Sequence, residues 1–341
     1  MRYIIDISPN TDTQIRRLIE QGRYLGVYQF VDRAVEALLH LEAQQVGDSQ
    51  TEVVQALGPV AGEEPPGADM LDACVRSPDT FPDPHSQAEL GVADDVAINW
   101  LWGQINSVLG IKYVARLVAR AEQDKDWAPI PLQMAQELVG DGAVRFGQRM
   151  AHIDEEQKRR RDERLSRSFP ADSEKSTNRF VSQYLGYIDG AGCPRGALAR
   201  LGLARLSGDR SRGEIQVTRA GFEFGNMCNP LFQPEADAPA HAALTENEIT
   251  WYVQHALAGG PCDADAMRTV CELINAGHDT SAALDQALKE AQPRWSDAEV
   301  TTYKGGVLAR MYQLGLISKT RDEHRTVKYE TTSTVHALSI L

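Results

Sequence analysis

The residues best equipped for chemistry in this chain are cations set close together. Lys158, Arg159, Arg160, Arg161, Arg164 and Arg167 fall within ten positions, enough positive charge to neutralise several phosphates and to make binding salt-dependent. Asp154, Glu155 and Glu156 precede the run, and Asp162 and Glu163 interrupt it. Those spacings allow i,i+3 and i,i+4 pairing, so the same stretch also fits a solvated, salt-bridged helix. Arg210 and Arg212 lie in the segment Ser207-Gly208-Asp209-Arg210-Ser211-Arg212-Gly213, and Arg321 and Arg325 bracket Asp322-Glu323-His324. Alternating residues flank both segments, which therefore read as hairpin tips. His255, Cys262, Cys271 and His278 come nearest to a metal-ligand set. No CxxC pair pre-organises them, and small buried cysteines and capping histidines account for all four. GxxxxGK[ST], GxGxxG after a strand, HExxH and GxSxG are all missing, and Asp263 with Asp265 reads as a pair of helix N-terminal acids. The expectation is a protein that is not an enzyme and holds no cofactor or metal.

The 341 residues exceed one common domain, so two or three are expected, with ample core. A net charge of −13 argues at first against nucleic acid, but the excess acid is local. Residues 1–45 carry −1, 46–95 carry −10, 96–234 carry +4 and 235–341 carry −6. Five cysteines, odd in number and scattered, together with the lack of a signal-like segment or a long apolar run, predict a cytoplasmic chain with reduced thiols and no membrane contact.

The elements that must position these cations can be read in order. Tyr3, Ile5 and Ile7 alternate with Arg2, Ile4 and Asp6, Ser8-Pro9 starts a helix ending near Gln21-Gly22-Arg23-Tyr24, and a second helix follows through Phe30, Val31, Ala34, Val35, Leu38 and Leu39. A lone strand cannot satisfy its backbone, so segment 1–45 needs a partner chain. Its strand-helix-helix order resembles the ribbon-helix-helix family in its antitoxin and repressor versions. The resemblance implies a homodimer whose paired strands enter the major groove of double-stranded DNA. With Tyr3, Ile5 and Ile7 in the core, Arg2, Ile4 and Asp6 become the groove-facing set. Arg2 suits guanine edges, whereas Asp6 meets phosphate repulsion unless it accepts from a cytosine amine.

Segment 46–92, rich in Pro, Gly and acid, reads as a flexible tether. Beyond it, 93–232 begins with an apolar run from Val96 to Val118 that predicts a buried helix broken near Gly110. Further helices are expected from Pro131 through Met150 and on through Arg167, over Ser176–Ile188, and over Cys193–Leu203, with the first hairpin after them. Segment 244–335 repeats the theme with helices near Glu246–Leu257, Asp263–Ala276, Ser281–Ala291 and Ser296–Leu314, then the second hairpin; Gly305-Gly306 predicts close packing or a bend.

Helices followed by an arginine-tipped hairpin and Thr218-Arg219-Ala220-Gly221 resemble a winged helix-turn-helix. Leu314-Gly315-Leu316-Ile317 followed by a polar hairpin ending in Tyr329 and Thr331 is similar to the same family. The resemblance implies Arg195 and Arg200 on a first recognition helix, with Arg210 and Arg212 on its wing. In the second unit it implies Thr301, Thr302, Lys304 and Arg310 as groove or phosphate contacts, with Lys319, Arg321, Arg325 and Lys328 on the wing. The expected fold class is mainly α with small β, a ribbon-helix-helix plus two winged-helix-like modules. The expected function is a homodimeric, sequence-specific regulator of transcription. The alternative is a non-enzymatic adaptor of a defence, partition or DNA-processing complex, its winged helices contacting protein.

Overall fold

The computed structural model describes residues 77–86, 88–91, 100–161, 163–171, 173–232, 242–258, 263–338 and 340. All belong to one compact unit, Cys74–Leu341, which is mainly helical with small antiparallel sheets. Arg2, Ile4, Asp6 and the rest of segment 1–45 lie outside the described residues. Among the described residues no helix is long and apolar enough to cross a membrane.

Helix α1, Val108–Gln123, carries an almost continuous buried apolar surface. Ser107 caps it, accepting from Gly110 N–H, and the Gln313 side chain, distant in sequence, accepts from Val108 and Leu109 N–H at 2.6 and 3.0 Å. Of the apolar run expected to be helical, residues 100–107 are not, and the helix that starts at Val108 passes Gly110 without the expected break. A Cβ there would lie 2.8 Å from the Tyr184 ring, so the glycine serves packing rather than bending.

Strand β1, Ile130–Pro131, leads directly into α2, Leu132–Glu156. The sequence predicts that this helix continues through Arg167, but it stops at Glu156, and Lys158 adopts a positive φ of 51°. Asp154 is the reason. Its buried carboxylate accepts from Leu165 N–H at 2.8 Å, Ser166 N–H at 3.0 Å and the Ser166 hydroxyl at 2.7 Å, folding the chain back into a 3-10 turn over Leu165–Ser168. Helix α3, Glu174–Tyr184, ends before the predicted Ile188, which instead joins β2, Tyr187–Ile188, paired with β3, Pro194–Arg195. The following helix α4 is only Ala197–Arg200. Strands β4, Ala204–Ser207, and β5, Glu214–Val217, form the expected hairpin, and β1 adds to its far side in the order β1-β5-β4.

After α5, Arg219–Asn226, come α6, Glu246–Leu257, α7, Asp263–Asn275, α8, Ser281–Ala291, and α9, Asp297–Gln313. Strands β6, Ile317–Arg321, and β7, Val327–Thr331, close the second hairpin ahead of α10, Ser333–Ala337. A Thr245–Glu248 capping box opens α6. Helix α9 is continuous through Gly305-Gly306, and Gly306 packs so tightly on Gly103 that a Cβ would sit 2.3 Å from its carbonyl oxygen.

The two hairpin units share one local plan. In the first, β1 pairs antiparallel with β5; in the second, an isolated bridge joins Thr280 to Lys328 of β7, and Tyr329 N–H donates to Asp279 O at 2.8 Å. Ahead of each hairpin the helix ends on a glycine at φ +66°, Gly202 and Gly315. Leu203 N–H reaches back to Leu198 O at 2.7 Å and Leu316 N–H to Met311 O at 2.9 Å, while both glycine N–H groups bond three residues back at 3.1 Å. These are Schellman closures. After each hairpin a threonine returns to the same turn: Thr218 Oγ1 donates to Gly202 O and Thr332 Oγ1 to Gly315 O, each at 2.6 Å. Left-handed backbone costs an L-residue about 1–2 kcal/mol, so Gly315→Ala should lose about that much, its Cβ meeting nothing within 4 Å. Gly202→Ala should lose more, since its Cβ would also press on Pro84 at 3.2 Å; urea unfolding of both variants checks the order.

Aromatic rings fill the centre, with Tyr113 stacked on Phe146 and edge-on to Phe169. Charges are buried among them in pairs. Lys112 Nζ lies 2.9 Å from Glu248 and donates to the carbonyls of Phe224 and Met227. Burial nonetheless pulls its pKa down to about 8. Among the described residues Glu122 has no such cation. Its carboxyl accepts from Val217 N–H at 2.6 Å, and burial raises its pKa to about 8. A folded-state pKa above the unfolded one stabilises below the ordinary carboxylate range and is lost as pH rises through about 8. Glu122→Gln keeps the acceptor and abolishes the titration, so the gap in urea midpoint between variant and parent should widen from about pH 5 to about pH 9.

Candidate nucleic-acid interface

The first hairpin tip is built by Asp209. Its Oδ1 accepts from Ser211 N–H, the Ser211 hydroxyl and Arg212 N–H at 2.7, 2.6 and 2.9 Å, and these bonds hold its pKa below the ordinary aspartate value. With the turn closed this way, Arg210 and Arg212 stand exposed on either side of Ser211. The second tip uses the same device. Asp322 Oδ1 accepts from His324 and Thr326 N–H, both at 2.9 Å, Arg325 takes a φ of 63°, and Arg321 and Arg325 are exposed. Lower on that hairpin, Lys319 Nζ lies 4.0 Å from the Tyr312 ring centroid and Lys328 pairs with Asp279 at 3.4 Å.

The basic run does not continue α2, Arg167 lying in the 3-10 turn, and its members differ. Arg159 is half-buried, lies 3.7 Å from Asp154 and donates to the Gln157 side chain, so its guanidinium is largely committed. Arg160 is 83% exposed and only loosely paired with Glu163 at 3.5 Å, while Lys158, Arg161, Arg164 and Arg167 are exposed. This brings five exposed cations to the C-terminal end of α2.

Several residues expected at an interface hold the interior together instead. Arg310 is fully buried, its Nε 3.1 and 3.0 Å from the two Asp263 oxygens, with a further bond to Ile105 O. Lys304 is buried against Asp285 at 2.6 Å and Ser281 Oγ at 2.7 Å, and Thr302 is half-buried, its backbone under Gly103. The face α9 leaves exposed, Asp297, Ala298, Thr301 and Gly305, carries no cation. Arg195 is in β3, not on a helix, and pairs with Asp189 at 2.8 Å; Arg200 is half-buried at the end of the short α4. A helix of four residues leaves no room for a recognition surface, and Gly196 at φ +107° separates it from Arg195.

The sequence also concealed a docked strap. Part of the expected tether, 77–86 and 88–91, lies on the body: Leu206 N–H donates to His85 Nε2 at 2.9 Å, Arg205 pairs with Glu89 at 2.7 Å, and Arg195 donates to Leu90 O at 3.3 Å. Burial and the Arg205 charge hold the His85 pKa below its ordinary value, so the imidazole accepts the backbone bond in its neutral form. Between the strap, α4, α5 and α6 runs a groove of about 950 Å³ bearing both signs of charge, Arg200 and Arg219 against Asp83 and Glu223. A cluster of Phe81, His85 and Leu90 within an acidic, Pro-rich stretch is the one local signal that could have located the strap.

No protein-family model, no curated protein and no solved structure matches the chain. The separation of structural from surface arginines is directly measurable. Arg310→Ala, which strands a buried Asp263, should cost about 3–5 kcal/mol, whereas Arg325→Ala should stay within about 0.5 kcal/mol, both read from denaturant unfolding.

Proposed function

We propose that the chain is a homodimeric DNA-binding protein, a sequence-specific regulator of transcription that grips the duplex through its phosphates. The observation that carries the reading is the distribution of cations. In the most positive part of the chain, arginines and a lysine are left exposed at the β4–β5 tip and in the loop after α2, while Lys112 and Arg116 of the same part are consumed in the core. Exposed guanidinium groups on a pre-shaped turn suit phosphate oxygens.

The connectivity supports a winged-helix reading of both hairpin units. Each has a helix, an extended residue or short strand, further helices and then the hairpin. The first unit has the β2–β3 pair inserted and the second has the single Thr280 bridge in place of a strand, and in both the extended piece lies against the hairpin's second strand. In this reading the first unit meets DNA through its wing and the neighbouring loop. The ribbon-helix-helix of segment 1–45 dimerises the chain and offers Arg2, Ile4 and Asp6 to the groove. The cation-free face of α9 favours a second use for the C-terminal unit, contact with a partner protein, as in an adaptor.

Salt dependence of duplex binding tests the proposal. Replacing Arg160, Arg161 and Arg164 by Ala should flatten the slope of log K against log salt by about 2–3, near 0.9 for each phosphate no longer neutralised. Arg159→Ala alone should change it little, because Asp154 and Gln157 already hold that side chain. Unaltered slopes in the triple variant would overturn the phosphate assignment and leave the adaptor reading.

A further inference from the structure

We infer that α2 is a spacer that sets its two cation clusters one turn of B-DNA apart, so that a single duplex lying along it is held at two points. The inference rests on the reading of the chain as a duplex-binding protein and adds the geometry of the grip. The first cluster stands at the helix's N-terminal end. There Pro131 pairs with Glu214 and Leu132 N–H donates to Gly213 O at 2.8 Å, which ties the β4–β5 tip, with exposed Arg210 and Arg212, to the first residue of α2. The second cluster, Lys158, Arg160, Arg161, Arg164 and Arg167, begins two residues after the helix ends and is held there by Asp154.

Between the two run the 25 residues of α2, which at 1.5 Å per residue span about 36 Å. One turn of B-DNA advances about 34–36 Å. The phosphate ridge of either strand therefore returns to the same side of the duplex at nearly the interval that separates the clusters. Along the helix between them exposed Glu137 and Asp141 stand against half-buried Arg145 and Arg149, so its middle adds little net charge and the two clusters carry the contact.

Duplex length is the test, using the full chain and random-sequence duplexes of about 8 and 24 base pairs in salt titrations. An 8-base-pair duplex is about 27 Å long at 3.4 Å per step and cannot reach both clusters, so it binds the stronger, loop cluster alone. Arg210→Ala with Arg212→Ala should then leave the 8-base-pair slope unchanged and flatten the 24-base-pair slope by about 1.8, two phosphates at 0.9 each. Arg160→Ala with Arg161→Ala and Arg164→Ala should flatten the slope at both lengths. Any contribution of segment 1–45 is common to every variant at a given length and cancels in the comparison. If the hairpin variant alters both lengths equally, or neither, the spacer is overturned while duplex binding stands. If no duplex of either length binds the parent protein, the functional reading itself falls and the spacer with it.

Discussion

A single buried ion pair fixes the relation of four helices in the body, α1, α6, α7 and α9. Arg310 of α9 and Asp263 at the start of α7 are both fully buried, and neither could be tolerated there alone. Their remaining bonding capacity is spent on two further elements. The Tyr252 hydroxyl of α6 donates to Asp263 at 2.7 Å, and the guanidinium also reaches Ile105 O in the segment that enters α1. One turn further along α9, Gln313 caps the first turn of α1. The last long helix thereby sets both the position and the starting point of the first, across roughly 200 residues of sequence. Lys112 and Glu248 repeat the device between α1 and α6, with Asn229 and the Thr245 backbone completing the carboxylate's bonds.

Such pairs add little net stability over an apolar core, yet removing one partner is expensive. Their effect is selective: alternative packings of the same amphipathic helices would strand a charge. That selectivity matters in a body built from two similar hairpin units. The Gly202 and Gly315 closures and the Thr218 and Thr332 clasps are nearly identical in geometry, so local structure alone does not say which unit packs where. The buried charges do, because Arg310 belongs to one unit and its counterpart position beside Leu198 in the other is Ala197.

What the sequence disclosed follows from the range of the forces involved. Helices α6 to α9 and both hairpins were legible within a residue or two, since apolar periodicity, N-cap threonine and serine, and Gly/Asp tips act within a few positions. The end of α2 was not legible, because the carboxylate of Asp154 captures backbone groups eleven and twelve residues ahead, and charge periodicity across 154–167 mimics a continuing helix. Arg310 and Lys304 mislead for a related reason. A cation on an amphipathic helix looks solvent-facing until its partner is known, and Asp263 and Asp285 lie 47 and 19 positions away. Arg195 fails as a helical residue because the positive φ of Gly196 resets the chain just after it. Arg210, Arg212, Arg321 and Arg325, which the sequence places at hairpin tips, are exposed there.

The same logic separates charge that folds the chain from charge that remains for a ligand. A guanidinium donates in up to five directions, and in the core those donors are consumed by Asp263 and carbonyl oxygens. At the first hairpin the acid is consumed instead: Asp209 turns one oxygen toward three donors of its own loop, so its charge is tied to the backbone while the flanking arginines extend from it. Glu163 offers Arg160 only a loose, exposed contact, and screening at physiological salt leaves an exposed pair of that kind worth little. Net charge over the whole chain therefore says nothing about what these surfaces attract. The field that a phosphate meets within a Debye length is set by which carboxylates are pinned and which guanidinium groups are not, and past the C-terminal end of α2 five exposed cations outnumber exposed Glu155, Glu156 and Glu163 even though the chain as a whole is acidic.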